Sequence, residues 1–207
     1  MQISKNNCPL CSVLKSSGSV KSAESCNTIL LESNKFVVLS SIGPLTIGHV
    51  MVVSRGHYDS LSSMGIESIR EYEDLYETIS LTSFYKNKGI LEVEHGATED
   101  YCAGACVTHT HIHLIPSLSN YDNIFEGILA RIPLNKLTDL SRIRKPYLLI
   151  RATGRPIRLY EAFDLPCQAI RRALCRVLGR DDWDWKIYPH YDLIDRTIEI
   201  WKNLENF

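Results

Sequence analysis

The chain has 207 residues, 44% of them hydrophobic, and a formal net charge of −1 at pH 7. This length suits one domain, or one domain with an appendage, that buries a substantial core. The balanced charge provides no basic surface for duplex nucleic acid. No run approaches the roughly 20 apolar residues that span a membrane. We therefore expect neither duplex nucleic acid nor a membrane as a partner.

The amino-terminal residues 1–8 lack the apolar core of a signal peptide. A cytoplasmic protein is therefore expected. In that compartment, the seven cysteines are interpreted as thiols or metal ligands rather than as a disulfide framework.

The first half of the chain predicts strands around a single long helix. Apolar and β-branched runs predict four strands, at residues 28–32, 36–39, 48–53 and 90–94. Apolar side chains at helical spacing predict a helix from about residue 66 to 86. Strands that do not alternate with helices favour an α+β fold with an antiparallel sheet.

The last third of the chain has a mixed pattern. Residues 121–130 show weak helical spacing, and two short apolar runs, 147–151 and 156–160, predict a β-hairpin. Two helices are predicted at 167–178 and 191–204. We expect residues 119–207 to form an extension of hairpin and helices that packs on a core of residues 1–118.

Three histidines alternate within the run from Thr108 to Pro116, which reads as a fifth strand. On a regular strand, His109, His111 and His113 would share one face at intervals of about 6.6 Å. One zinc ion, which needs each nitrogen at about 2.0–2.1 Å, cannot take all three rings. At least one imidazole is therefore left as a nucleophile or as an acid or base.

Cys8 and Cys11 form a Cys-x-x-Cys pair, which is a common half of a tetrahedral zinc site. A redox pair is the rival interpretation, but it favours a helix start beside a βαβ unit, and no such unit is evident. The spacing alone does not choose the other two ligands, for which the candidates are His57, His95, His109, Cys26, Cys102 and Cys106.

The run from Gly48 to His57, followed by Gly104 and then by His-x-His-x-His-x-x-Pro at 109–116, resembles the histidine triad (HIT) superfamily of nucleotide hydrolases and transferases. The resemblance covers residues 8–116 and implies a HIT-like antiparallel sheet with one long helix. The Cys-x-x-Cys pair is similar to that of the zinc-bearing members. Most members form homodimers, so the resemblance also implies a homodimer.

The resemblance implies a division of roles among the histidines. Cys8, Cys11, His57 and His109 would bind zinc, and because four protein ligands close a tetrahedral site, this zinc would be structural. His111 would attack the α-phosphorus of a nucleotide and form a nucleotidyl-histidine intermediate. His113 would contact the phosphate or the leaving-group oxygen.

The expected activity is hydrolysis of a nucleotide phosphoanhydride, phosphoester or phosphoramidate. One alternative is a nucleotidyltransferase or phosphorylase, in which phosphate or a sugar phosphate replaces water. A second alternative is a nucleotide-binding module without turnover. A catalytic zinc with an open position would need His111 on the metal, which the strand geometry disfavours.

Further substrate contacts are expected at four positions before the triad. Glu94 and Gly96 stand where relatives carry an Asn-x-Gly segment that lines the α-phosphate and ribose. Gly104 and Cys106 flank Ala105 where many hydrolases have Gly-Gln-Ser or Gly-Gln-Thr. Because alanine has no hydrogen-bonding side chain, the leaving group must be handled differently here.

The carboxy-terminal extension can supply the missing contacts. The helix predicted near residue 167 begins with a glutamine and two arginines, which suits phosphate. We take Gln168 and Arg172 as the candidate phosphate contacts.

Overall fold

The structure is a computed structural model that describes residues 8–16 and 25–204. Residues 1–7, on which the signal-peptide interpretation largely rests, lie outside the described residues. Four α-helices are described: α1 (Pro9–Ser16), α2 (Ile66–Leu81), α3 (Ala169–Val177) and α4 (Tyr191–Lys202). Eight strands are described: β1 (Ile29–Glu32), β2 (Phe36–Ser40), β3 (Val50–Ser54), β4 (Ile90–Gly96), β5 (His111–Pro116), β6 (Arg131–Ile132), β7 (Tyr147–Ala152) and β8 (Arg158–Glu161).

All described strands belong to one sheet, in the order β1-β2-β3-β5-β4-β7-β8-β6. Every pairing in this sheet is antiparallel, which confirms the predicted α+β class. The predicted hairpin is β7 and β8, and β7 pairs with β4 from Leu91↔Ala152 to Gly96↔Tyr147. The sheet therefore continues across residue 118, where we expected the core to end.

One face of the sheet is covered by α2 and α4. Buried side chains of α2 recur at helical spacing, at Ile69, Tyr72 and Ile79, and pack on the even-numbered residues of the central strands. The helix ends at Leu81 rather than near 86, because Thr82 has an extended backbone (ψ 154°) and donates its N–H back to the carbonyl of Ile79.

The other face is covered in two places. Leu10, Val13 and Leu14 of α1 pack near Val37 of β2, at one side of the sheet. At the other side, α3 packs on β4 and β7 through its apolar face. A cavity of 170 Å³ lies between the two covers, over the middle of the sheet.

Two predicted elements are wrong in part. Residues 121–130 contain turns but no α-helix, and Gly127 within them has a left-handed backbone (φ 74°) that a helix does not accommodate. The histidine strand begins at His111, not at Thr108, because Thr110 bonds to the backbone of Tyr58 and Ser54 instead. His109 therefore precedes the strand, and its ring does not have to share a strand face with His111 and His113. Among the described residues, no helix has the length and apolarity needed to cross a bilayer.

Candidate active site and metal cluster

Cys8, Cys11, His57 and His109 come together at the end of the sheet beside α1. Their ligand atoms all lie within 4.8 Å of one another. Cys8 immediately precedes α1 and Cys11 lies in its first turn, whereas His57 follows β3 and His109 precedes β5. The four residues predicted from the resemblance are thus brought together from three parts of the chain.

The geometry of this cluster suits a tetrahedral ion. Sγ of Cys8 lies 3.4 Å from Nδ1 of His109, and Sγ of Cys11 lies 3.3 Å from Nδ1 of His57. Zinc bonded to sulfur at about 2.3 Å and to nitrogen at about 2.0 Å would separate such atoms by about 3.5 Å. The other ring nitrogen of His109, Nε2, donates to the carbonyl of Ser54 at 2.8 Å. This bond leaves the Nδ1 lone pair for a metal.

His111 faces the cavity in a fixed tautomer. Its Nδ1 lies 2.6 Å from the backbone carbonyl oxygen of His109, and since a carbonyl only accepts, Nδ1 must carry the proton. The Nε2 atom of His111 therefore keeps its lone pair. Burial lowers the pKa of His111, so the lone pair is present near neutral pH. The ring is set up as a nucleophile.

His113 also lines the cavity, and its tautomer follows from a chain of hydrogen bonds. The backbone N–H of Leu45 donates to Nδ1 of His49 at 3.1 Å, so His49 carries its proton on Nε2. That proton is donated to Nδ1 of His113, 3.0 Å away. His113 therefore carries its own proton on Nε2. Burial lowers the pKa of His49 and of His113 well below the usual value, in agreement with two neutral rings.

A fourth cavity histidine, His95 of β4, was considered from the sequence only as a possible metal ligand. It lines the cavity and donates Nδ1–H to the carbonyl of Ala103 at 2.8 Å. Burial lowers its pKa to about 4, so the ring is neutral. The period-2 geometry of a strand places His95 on the same face as Val93, but the sequence does not show which face borders the cavity.

Glu94 and Gly96 lie on the opposite face of the sheet, which contradicts the prediction that they contact substrate. The Glu94 carboxylate accepts the backbone N–H of Leu61 at 2.6 Å and the hydroxyl of Tyr147 at 2.7 Å. Gly96 packs against the same tyrosine, where a Cβ atom would meet the ring at 2.2 Å. Glu94 alternates with His95, so its side chain points away from the cavity, and Gly96 does not line the cavity.

Gly104 and Cys106, for which substrate contacts are predicted, both line the cavity together with Ala105. Cys106, however, is not a thiol, because it forms a disulfide with Cys167, which has a Cα–Cα distance of 5.5 Å. The prediction that the cysteines are thiols or metal ligands is wrong for this pair. Gly104 has φ 79°, and a Cβ atom there would come within 3.1 Å of the Pro166 carbonyl oxygen. The loop before the triad is therefore joined closely to the start of α3.

The two residues predicted at the start of α3 differ in their positions. Gln168 lines the cavity, but its side-chain amide is held by Asp184 and by the backbone of Trp185. Arg172 lies over the ring of Trp183, 3.8 Å from the ring centre, and does not line the cavity. The adjacent Arg171 lines it instead. The prediction of Arg172 as a substrate contact is therefore not supported by its position.

No family model and no curated protein matches the chain. Solved structures do match. A HIT-like protein involved in cell-cycle regulation from Bartonella henselae is 18% identical over 54% of this chain and 81% of its own, with a TM-score of 0.44. A zinc-bound histidine triad family protein from Mycobacterium smegmatis is 17% identical over 66% and 89%, with a TM-score of 0.42.

The yeast Ap4A phosphorylase in complex with AMP is 12% identical over 81% of this chain and 73% of its own, with a TM-score of 0.38. The structural similarity is to histidine triad proteins, as is the resemblance of the sequence motifs.

Proposed function

We propose that this protein is a nucleotide hydrolase of the histidine triad type that acts through a covalent nucleotidyl-histidine. The observation that carries the proposal is the fixed tautomer of His111, whose Nε2 lone pair faces the cavity while Nδ1 donates to the His109 carbonyl. A neutral imidazole held in this way is a competent nucleophile toward phosphorus. The substrate is a nucleotide or nucleotide conjugate cleaved at its α-phosphorus.

In the first step, the lone pair on Nε2 of His111 forms a bond to the α-phosphorus. The bond from phosphorus to the leaving group breaks, and its electron pair stays with the leaving group. The His111 ring becomes positively charged, and its Nδ1–H keeps donating to the His109 carbonyl, which stabilises that charge. His113 presents Nε2–H as a hydrogen-bond donor to the developing negative charge.

In the second step, a water molecule attacks the phosphorus and the N–P bond breaks. His111 then regains its neutral lone pair, and the proton from the water is released to solvent. If phosphate or a sugar phosphate takes the place of water, the same intermediate gives a phosphorylase or a nucleotidyltransferase. A nucleotide-binding module without turnover is the alternative in which neither step occurs.

We assign Cys8, Cys11, His57 and His109 to a structural zinc ion. When bound, the ion would hold α1, the loop after β3 and the start of β5 together, and its closed ligand set has no position for water. His109 would then act twice, because its ring is a ligand and its backbone carbonyl orients His111. The cluster supports the nucleophile without touching the substrate.

Three further expectations stay predictions: a homodimer, a cytoplasmic location, and the division into a core of residues 1–118 and an extension of residues 119–207. The sheet pairing between β4 and β7 means that this extension would add strands to the core sheet. It also carries α3, whose first residues border the cavity.

The test is to trap the intermediate. The protein is mixed with a panel of nucleotides and nucleotide conjugates, quenched in alkali, and analysed by mass spectrometry for a nucleoside monophosphate attached to His111. We expect an adduct in the wild type and none in His111→Asn, with turnover lowered at least about 1,000-fold. His190→Asn, a matched substitution outside the cavity, should retain both. Full turnover in His111→Asn would refute the covalent step.

A further inference from the structure

Arg171 places a positive charge in the cavity. It is the one Arg or Lys side chain among the described residues that line the cavity, and only 8% of its surface is exposed. Its Nε donates to the carbonyl of Trp183 at 2.9 Å, and its Nη2 donates to the carbonyl of Gly43. Two of the three guanidinium nitrogens are thus fixed by backbone groups, and the guanidinium is held still.

This charge has no partner of opposite sign. Within residues 8–16 and 25–204, Arg171 forms no ion pair, and its Nη1 makes no hydrogen bond. The nearby Asp182 pairs with Arg180, and Asp184 accepts from Gln168. Burial lowers the pKa of Arg171 to about 10, which expresses the cost of a desolvated cation. An anion bound in the cavity would offset that cost.

The cation lies on the His113 side of the cavity. Its anchor, Gly43, lies two residues after Ser41, whose N–H donates to the carbonyl of His49 at 3.1 Å, and the His49 ring is bonded to Nδ1 of His113 at 3.0 Å. Along the chain toward β5, the metal cluster comes first at His109, then His111, then His113. A group bound by Arg171 therefore lies toward the His113 end of the pair His111 and His113, away from the metal cluster.

The cavity histidines lack a proton that they can readily give away. His113 holds one proton on Nε2, and since its Nδ1 accepts from His49, loss of that proton would leave an imidazolate anion. His95 uses its proton on the Ala103 carbonyl. A leaving group that needs protonation, such as an amine or an alkoxide, has no general acid among these residues. A phosphate that already carries a proton or a second phosphate or ester group can leave as a stable anion, such as HPO₄²⁻, without one.

We propose that Arg171 binds an anionic phosphate leaving group, so that the substrates are nucleotides whose α-phosphate is joined by an anhydride bond to a second phosphate. This inference rests on the proposed function and names its substrate class. The Nε2 atom of His111 forms the N–P bond, the anhydride P–O bond breaks, and its electron pair stays on the departing phosphate. A terminal β-phosphate reacts in its monoprotonated form and leaves as HPO₄²⁻, whose oxygens are bound by Arg171 and by the Nε2–H of His113, and no proton passes between protein and substrate. By reversal of the same step, inorganic phosphate can serve as the acceptor.

The first experiment compares two leaving groups. Turnover is measured on ADP and GDP, whose leaving group is phosphate, and on AMP and GMP phosphoramidates, whose leaving group is an amine. We expect Arg171→Gln to lower kcat/KM for the diphosphates by roughly 10–100-fold, the loss typical of a hydrogen bond to a charged group, and to leave the phosphoramidates unchanged. Arg171→Lys should restore part of the loss. Arg172→Gln is the matched control on the same helix, and it should change neither.

An equal loss on both kinds of substrate, or faster wild-type turnover of the phosphoramidates, would overturn the inference. A second measurement does not depend on turnover or on the folding of a variant at Arg171. Calorimetric binding to His111→Asn protein compares ADP with AMP and GDP with GMP. For at least one of the two bases, we expect the nucleoside diphosphate to bind at least about tenfold more tightly than the monophosphate. This ratio corresponds to one charge-assisted contact. Equal affinities for both bases would overturn the inference.

The two proposals can fail separately. Absence of any nucleotidyl adduct, together with diphosphate binding that depends on Arg171, would refute the covalent step but support the anion site. An adduct on His111 in both wild type and Arg171→Gln, formed from ADP at equal rates, would support the covalent step and refute the role of Arg171.

Discussion

The two faces of the central sheet are stabilised in different ways. On the face covered by α2 and α4, one continuous apolar cluster joins the helices to the strands. On the cavity face, the covers α1 and α3 lie apart, and each has residues for a cross-link. A zinc ion bound by the Cys/His cluster would tie α1 to the loops beside β3 and β5, and the Cys106–Cys167 disulfide ties the loop before the triad to the segment that starts α3.

Glu94 on one face and the cavity residues His111 and Arg171 on the other differ in how their polar atoms are used. Glu94 uses both of its carboxylate oxygens on Leu61 and Tyr147. On the cavity face, Nε2 of His111 and Nη1 of Arg171 make no hydrogen bond with any described residue. Helices that border a cavity bury less apolar surface against the sheet, so cross-links compensate for the missing packing. Glu94 is thus committed to the fold on the structural face, which α2 and α4 cover, whereas Nε2 of His111 and Nη1 of Arg171 stay available to a ligand on the functional face, which borders the cavity.

The largest effect should come from cutting the metal link of α1. Cys8→Ser removes one of the four ligands, and we expect the bound zinc to be lost together with more than about 4 kcal/mol of unfolding free energy, as for other losses of a structural metal. Metal analysis and urea unfolding measure the two quantities. Cys102→Ser changes an exposed cysteine outside the cluster and should alter neither. A Cys8→Ser protein with full zinc content and stability would show that the packing of α1 is sufficient.

Cutting the disulfide should have the next largest effect. The bond closes a loop with a sequence separation of 61 residues, so the Cys106→Ser, Cys167→Ser double variant is expected to lose about 2–4 kcal/mol of unfolding free energy. A non-chelating reductant should lower the stability of the wild type by a similar amount and leave the double variant unchanged. An identical unfolding curve for oxidised and reduced wild type would mean that the cross-link does not stabilise this face.

The sequence predicted the fold class because hydrophobic patterning is a strong local signal. Hydrophobic patterning located the strands that became β1–β5 and the hairpin β7–β8. The resemblance supplied four ligands that the structure brings together. The disulfide between Cys106 and Cys167 was missed, because residues 61 positions apart have no local pattern that reveals their contact.

The predicted substrate contacts of Glu94 and Arg172 differ from the structure for one physical reason. The local sequence does not determine the direction in which either side chain points. All seven residues of β4 are buried, so apolar residues occupy both faces and no alternation distinguishes Glu94 from His95. On a helix, adjacent residues point about 100° apart, and the choice between Arg171 and Arg172 depends on how α3 rotates onto the sheet. Tertiary packing, which the sequence pattern does not show, decides both.

The structural face can be tested by the pH dependence of stability. Burial raises the pKa of Glu94 to about 7, above its usual value of 4.5. The folded protein therefore holds this proton more tightly than the unfolded chain does. Its stabilising contribution is fully present below pH 4.5 and is lost as the pH rises through 7. From pH 5 to 8, the unfolding free energy of wild type minus that of Glu94→Gln should fall by up to about 3 kcal/mol.

Urea unfolding at several pH values in this interval measures that difference. The subtraction matters because the buried histidines, whose pKa values are lowered, act in the opposite direction and are common to both proteins. Glu67→Gln, at a side chain that is 69% exposed, should follow the wild-type pH profile. Nucleotide turnover should survive in Glu94→Gln. If the difference in unfolding free energy between wild type and Glu94→Gln stayed constant across this pH interval, the Glu94 carboxyl would not be buried as it is in the structure.

The smallest expected change in stability comes from a substitution at Arg172 of α3. It also tests directly whether the cavity face differs from its surroundings, because the adjacent Arg171 lines the cavity. Arg172 lies over Trp183 on the outer side of the helix, so Arg172→Ala should cost about 0.5–1 kcal/mol of unfolding free energy, the range of an exposed cation–π contact. Turnover on diphosphate substrates should not change, since its guanidinium does not line the cavity. Urea unfolding and steady-state kinetics on the same preparation check both statements. Because the two arginines are adjacent and carry equal charge, a general electrostatic effect would lower turnover in both variants, whereas a specific contact lowers it in the Arg171 variant alone.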